Sequence, residues 1–169
     1  MILFKKRKIV DDSVYWEKAF SQRMPGNGKA ALRPDTVEFG GHRYWVSDKN
    51  LVWHDAQAAC KKMGGHLVCI ETAEEQEFLE KITVPSKGAK RRAYWIGLKK
   101  QDGKLVWVNG QRPRFFAWDY SDQGKREFES ELKRKINKYP GITLGRYTGK
   151  WRFRDSLEFH YYFICEWDK

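Results

Sequence analysis

The chain has 169 residues, 41% of them hydrophobic and 15% aromatic, with eight tryptophans, enough for one domain with a real core plus an extension. Lys and Arg outnumber Asp and Glu by 33 to 22, a net charge of +11, which favours polyanionic neighbours (acidic glycan, anionic lipid, nucleic acid) unless it is simply a basic, solvated surface. No apolar run approaches the roughly 18 to 20 residues that a membrane-spanning helix needs.

Residues 1–35 read as a basic N-terminal extension and linker, and residues 36–169 as the domain. Ile2-Leu3-Phe4 is too short for a signal-peptide core, and its charges follow the apolar run instead of preceding it. Lys5-Lys6-Arg7-Lys8 reads either as a nuclear or nucleic-acid patch or, more ordinarily, as a solvated terminus. A short helix is expected over 14–20, and the Pro and Gly content of 24–34 marks a linker.

The domain opens with a hairpin, Thr36-Val37-Glu38-Phe39 and Arg43-Tyr44-Trp45-Val46, turned by Gly40-Gly41. Trp53, Ala56, Ala59, Cys60 and Met63 recur at helical spacing, with Gly64 placed to end the helix. No polar side chain stands at its start, where Val52 sits; Asn50 is the nearest substitute. A strand over 67–70 follows. Thr72-Ala73-Glu74-Glu75 is a capping box for a second helix to about Ile82, with Phe78, Leu79 and Ile82 inward. After a basic loop over 87–92 come two apolar runs, Tyr94-Trp95-Ile96-Gly97-Leu98 and Leu105-Val106-Trp107-Val108. Asp102-Gly103 between them tolerates the positive backbone angles of a tight hairpin. Gly97, inside a strand, signals close backbone approach or a kink. Phe128, Leu132, Ile136 and Tyr139 recur among Lys125, Arg126, Lys133, Arg134, Lys135 and Lys138. This predicts a basic amphipathic helix ended by Pro140-Gly141, packed on its own domain or offered to a partner. Lys150-Trp151-Arg152-Phe153-Arg154 alternates as a strand does, Trp151 and Phe153 on one face and the cations on the other.

Four pieces of this chain fall in an order that resembles the C-type lectin-like domain: Trp53 to Leu67 with its Ala56, Cys60, Gly64 and Gly65; Tyr94-Trp95-Ile96-Gly97-Leu98; Gly149-Lys150-Trp151; and Phe163-Ile164-Cys165-Glu166-Trp167. The resemblance runs from Val37 to Trp167. It implies an α+β C-type lectin-like fold, two helices flanking short antiparallel sheets with a long loop region. It also implies that Cys60 and Cys165 form the disulfide closing the domain, worth about 4 to 5 kcal/mol in the chain-entropy picture. Cys69, in an apolar run, is expected as a buried free thiol. The family is mainly extracytoplasmic, but without an export signal the compartment stays open.

Calcium-dependent members carry a Glu-Pro-Asn or Gln-Pro-Asp tripeptide after the tryptophan that aligns with Trp118. Here that place holds Asp122-Gln123-Gly124. Their Asn-Asp pair after the tryptophan matching Trp151 is replaced by Arg152-Phe153, with Asp155 displaced. A cation in that position repels calcium, which needs six to eight oxygens, so no metal site and no cofactor are expected. Asp119, Asp122, Glu127, Glu129 and Glu131 are read as ion-pair partners of the surrounding cations. The four histidines, at 42, 54, 66 and 160, show no enzyme-type metal spacing, and no catalytic motif appears. Candidate ligand-binding residues are Trp118 and Tyr120 for stacking, with Lys133, Arg134, Arg146, Arg152 and Arg154 for acidic groups; Tyr147 and Trp151 offer further rings, although Trp151 reads better as core. The function expected is a non-catalytic, calcium-independent recognition module for a protein or an acidic glycan, acting through a remodelled long loop. The alternative is a structural or docking subunit of a larger assembly, in which the basic surface meets protein or nucleic acid.

Overall fold

The tight turn expected at Asp102-Gly103 is present in the computed structural model, which describes residues 35–83, 93–133 and 140–168. Asp102 (φ 50°) and Gly103 (φ 75°) both adopt positive φ, the condition for a two-residue turn that matches strand twist. They join β4 (Ala93–Gln101) to β5 (Lys104–Trp107). The other elements are β1 (Val37–Phe39), β2 (His42–Val46), α1 (Trp53–Lys62), β3 (His66–Leu67), α2 (Ala73–Thr83), α3 (Asp122–Lys133), β6 (Pro140–Gly145), β7 (Trp151–Asp155) and β8 (Tyr162–Trp167). The chain divides into two units, Met1–Ala31 and Leu32–Lys169. The basic patch at 5–8, the helix over 14–20, the linker and the basic loop over 87–92 lie outside the described residues.

The sheet runs β1-β2-β8-β4-β6-β7, with β3 added on β8 and β5 on β4. The parallel pairing of one strand pair differs from the expectation of antiparallel sheets, and the expected inserted helix differs in where it starts. β4 and β8 run parallel, Tyr94 opposite Tyr162 and Trp95 opposite Phe163, because the chain re-enters between two strands whose directions are already fixed. The inserted helix α3 is a third helix, and it starts at Asp122, several residues before the apolar recurrence that predicted it. The strand over 67–70 is shorter than expected: only His66 and Leu67 pair in the ladder, and the Val68 N–H continues to the Ile164 carbonyl at 3.0 Å.

Alternation along the strands separates two cores, one per sheet face. Tyr44, Tyr94, Ile96 and Ile164 belong to the core that α2 covers with Leu79, and Trp45, Trp95, Phe163 and Cys165 to the one that α1 covers with Trp53, Ala56 and Cys60. Buried tryptophans need partners for their N–H groups, and they have them. Trp53 donates to the Ile96 carbonyl (2.9 Å), Trp95 to the Leu51 carbonyl (2.7 Å) and Trp151 to Gln76 Oε1 (2.9 Å). Gln76 also donates to the Gly149 carbonyl at 2.6 Å, so one α2 side chain ties the helix to the turn before β7. Gly97 is needed for close approach. A Cβ there would stand 2.5 Å from the Leu67 carbonyl oxygen and 2.8 Å from Val108, and the β4 ladder shifts register just there, between Ile96 and Lys99.

The helix termini follow the sequence in part. Thr72 Oγ1 accepts the Glu75 N–H (3.1 Å), while the Glu75 carboxylate accepts the Glu71 N–H and the Tyr44 hydroxyl, both at 2.8 Å. α1 has no side-chain cap at Val52; instead the Trp53 N–H reaches the Ser156 carbonyl (3.4 Å). The bridge expected between Cys60 and Cys165 is not made in this structure, in which all three cysteines are free thiols. Cys60 and Cys165 are fully buried neighbours in the α1-side core, and burial, then a hydrogen bond to Cys165, raises the Cys60 thiol well above its usual range. Cys69 is buried as expected.

Candidate functional site

The strand expected over 150–154 is β7, and its faces are as the alternation predicted: Trp151 and Phe153 are buried, Arg152 and Arg154 half-buried opposite them. The segment before α3 pairs with it. The Trp151 N–H donates to the Ala117 carbonyl (2.7 Å) and the Asp119 N–H to the Trp151 carbonyl (3.0 Å), which brings Trp118 beside β7. Its ring stacks on Phe153 at 5.1 Å and meets Trp151 edge-on at 5.8 Å.

α3 is seated on this platform by three contacts. Phe128 packs edge-on to Trp118 at 4.9 Å. Ser121 caps the helix, its Oγ accepting the Gly124 N–H (3.2 Å). Gly124 lies against the Asp119 backbone so closely that no Cβ fits. The fourth link is electrostatic. Glu127 accepts from Arg152 Nη2 at 3.1 Å and from Arg154 Nη1 at 2.9 Å, and Arg152 Nε lies 3.4 Å from Asp119 Oδ2. Hydrogen bonds from Ser121, followed by the charge of Arg152, hold the Asp119 carboxyl below its ordinary value.

The basic face expected on β7 is therefore covered: Arg152 and Arg154 spend their charge on Glu127 and Asp119. Trp118, expected as a stacking platform for ligand, is 7% exposed and serves chiefly as core. Tyr120, the other stacking candidate, is 67% exposed. Trp118, Tyr120 and Arg152 do come together, lining with Lys125 and Phe128 a cleft of about 140 Å³. Arg154 faces the other side of Glu127, on an open groove of about 630 Å³ bordered by Arg126, Phe159 and Tyr161. Lys133 is exposed at the end of α3. Arg146 lies in the β6–β7 turn, its guanidinium 4.5 Å over the Tyr147 ring. Arg134 lies outside the described residues. Sequence reasoning treated Asp119 and Glu127 as generic ion-pair partners; it did not find Glu127 as the clamp between helix and strand, because the partners are 25 and 27 residues away.

A calcium-dependent member would offer oxygens where Arg152 stands. Here that position is a guanidinium, and the two carboxylates beside it are engaged by arginines. Among the described residues no helix is long and apolar enough to cross a membrane.

The comparisons with known proteins agree with the architecture. Residues 49–167 match the family model of the lectin C-type domain. Rattus norvegicus asialoglycoprotein receptor 2 is 38% identical over 111 residues, 62% of this chain and 35% of the relative. The chain thus spans about a third of the length of such curated relatives. Among solved structures, the carbohydrate-recognition domain of the human scavenger receptor C-type lectin superposes with a TM-score of 0.66 at 24% identity, over 82% of this chain and 100% of that one. A Ca2+-independent C-type lectin, SPL-2 from Saxidomus purpuratus, gives 0.65 at 20% identity, over 85% and 98%. The chain belongs to the C-type lectin domain family, whose members are carbohydrate- or ligand-recognition modules.

Proposed function

We propose that this member recognises its ligand without calcium, and that the ligand is a protein or an acidic glycan engaged by the remodelled loop between β5 and β6. One observation carries the reading: the Arg152 guanidinium, held between Asp119 and Glu127, stands where a calcium-dependent member offers oxygens. Calcium there would have to displace a positive charge and take carboxylates already ion-paired with arginine. The same fold serves SPL-2, described as Ca2+-independent. Tyr120, exposed at the rim of the cleft that Trp118 also lines, with Lys133 and Arg134 further along the insertion, are the contacts proposed for the ligand. No catalytic role and no nucleic-acid partner is proposed.

The test is a glycan array, with protein ligands alongside, read with and without chelator. Bound spots unchanged by chelator, and lost in Tyr120→Ala at unchanged melting temperature, support the reading. Calcium at one hundred times a dissociation constant would stabilise the native state by about 2.7 kcal/mol. A clear rise in melting temperature at millimolar calcium, reversed by chelator, refutes calcium independence.

A further inference from the structure

A second set of functional side chains lies away from the long loop, at the end of the sheet where β2, β3 and β8 meet. The register builds it. His66 stands opposite Glu166 across β3 and β8, and Tyr44 opposite Glu166 across β2 and β8. Positions two apart share a face of a strand, so His42 and Asp168 join the same cluster. Cys69 follows β3, and its N–H donates to Glu166 Oε2 at 2.8 Å.

We propose that His66 Nδ1, Cys69 Sγ and Glu166 Oε2 form a site for a zinc-type divalent ion, with a fourth position left for water. These three atoms lie within 4.8 Å of one another. Nδ1 is 3.7 Å from Sγ and 3.9 Å from the carboxylate oxygen. Tetrahedral zinc with ordinary zinc–nitrogen, zinc–sulfur and zinc–oxygen bonds holds its ligands about 3.5 Å apart, so Nδ1 needs to approach each of the other two by only a few tenths of an ångström. Imidazole, thiolate and carboxylate suit zinc or cobalt, whereas calcium and magnesium take oxygen sets.

The surrounding contacts are those that orient metal ligands. Asp168 Oδ2 lies 3.1 Å from His66 Nε2, placed to hold the ring proton there and leave Nδ1 for a metal. His42 Nδ1 lies 2.6 Å from Glu166 Oε1, which fixes the carboxylate by its other oxygen. A backbone hydrogen bond from Asn109 reaches Cys69. Nδ1 and Sγ also both approach the Leu67 carbonyl, at 2.9 and 3.6 Å, so metal would enter as the Nδ1 and Sγ protons leave. The Cys69 and Glu166 side chains are nearly enclosed and His66 is 16% exposed, which gives an ion one way in.

The experiment titrates the reduced full chain with Co2+ alone and then with Zn2+. A sulfur-to-cobalt charge-transfer band with tetrahedral d–d absorption, saturating at one equivalent and bleached by Zn2+, is expected. Cys69→Ser should abolish the band and His66→Gln should weaken binding at least about 100-fold. Asp168→Asn should weaken it by about 10- to 100-fold. The double variant Cys60→Ser/Cys165→Ser should keep the band, which separates this site from the other thiol pair. Near-ultraviolet circular dichroism checks that each variant is folded. If the double variant does not fold, the two single serine variants replace it: each should keep the full band. No band in the reduced wild-type chain, a band that survives Cys69→Ser, or one lost with Cys60 or Cys165 in a folded variant overturns the proposal.

Discussion

Replacing Glu127 by alanine removes the carboxylate that holds α3 to β7, and the structure sets the size of the effect. The Glu127 side chain retains 30% of its exposure, and its partners Arg152 and Arg154 retain 21% and 22%. Such pairs sit between exposed ones, worth about 0.2 to 1 kcal/mol, and fully buried ones. Two hydrogen-bonded pairs on one carboxylate then give about 1 to 2 kcal/mol, with Arg152 still left to Asp119 and Arg154 to the Phe153 carbonyl. Urea unfolding should show this as a midpoint lowered by about 0.5 to 1 M. A double-mutant cycle with Arg152→Ala should return a coupling of about 0.5 to 1 kcal/mol that shrinks in 1 M salt. Amide exchange should speed up first in α3. A coupling indistinguishable from zero, with α3 amides as protected as in the parent, would show that Phe128 and Gly124 seat the helix unaided.

Three further outcomes are expected. Trp151→Ala removes a 1%-exposed ring and its bond to Gln76 and should cost about 3 to 5 kcal/mol in urea unfolding; a loss under 1 kcal/mol would contradict its place in the core. Because Asp119 is depressed below its ordinary 3.8, the stability it contributes is fully present above that pH and is lost as pH falls through the lower folded value. Asp119→Asn should flatten the stability profile in that acid window, and an unchanged slope would argue against the Ser121 and Arg152 contacts. Intact mass after alkylation should find Cys60 and Cys165 bridged in oxidised protein and Cys69 unreactive until unfolding; free alkylation of Cys60 in oxidised native protein would refute the pairing.

Most of the frame was legible because its signals are local. Asp102-Gly103 names its turn, Thr72 and Glu75 mark a helix start, and Trp151 with Phe153 reveals the buried face of β7 by alternation alone. Gly97 was readable as a close approach, though not what it approaches. The start of α3 was hidden because Phe128 is the first apolar residue to reach the platform, while Ser121 and Gly124 fix the helix through contacts with the Asp119 segment and not through periodicity. The state of Arg152 and Arg154 was hidden for a related reason: a charge pattern tells which side chains can pair, and only the fold tells which do. The same holds for Glu166, whose bond to Cys69 joins residues 97 apart.

The place of β8 bears on how this domain is made. That strand lies between β2 and β4 and carries β3 as well, so the middle of the sheet is supplied by residues that a ribosome delivers after every other strand. The Phe163 N–H to Ser47 Oγ bond spans 116 residues. Until that segment emerges, the β4–β5 hairpin can form from its own turn, but Tyr44, Trp45 and Trp95 have no central strand to pack with. Nascent chains halted before residue 162 should therefore expose their tryptophans and engage chaperones, and folding should follow the emergence of β8 by the slow search typical of such long-range pairing.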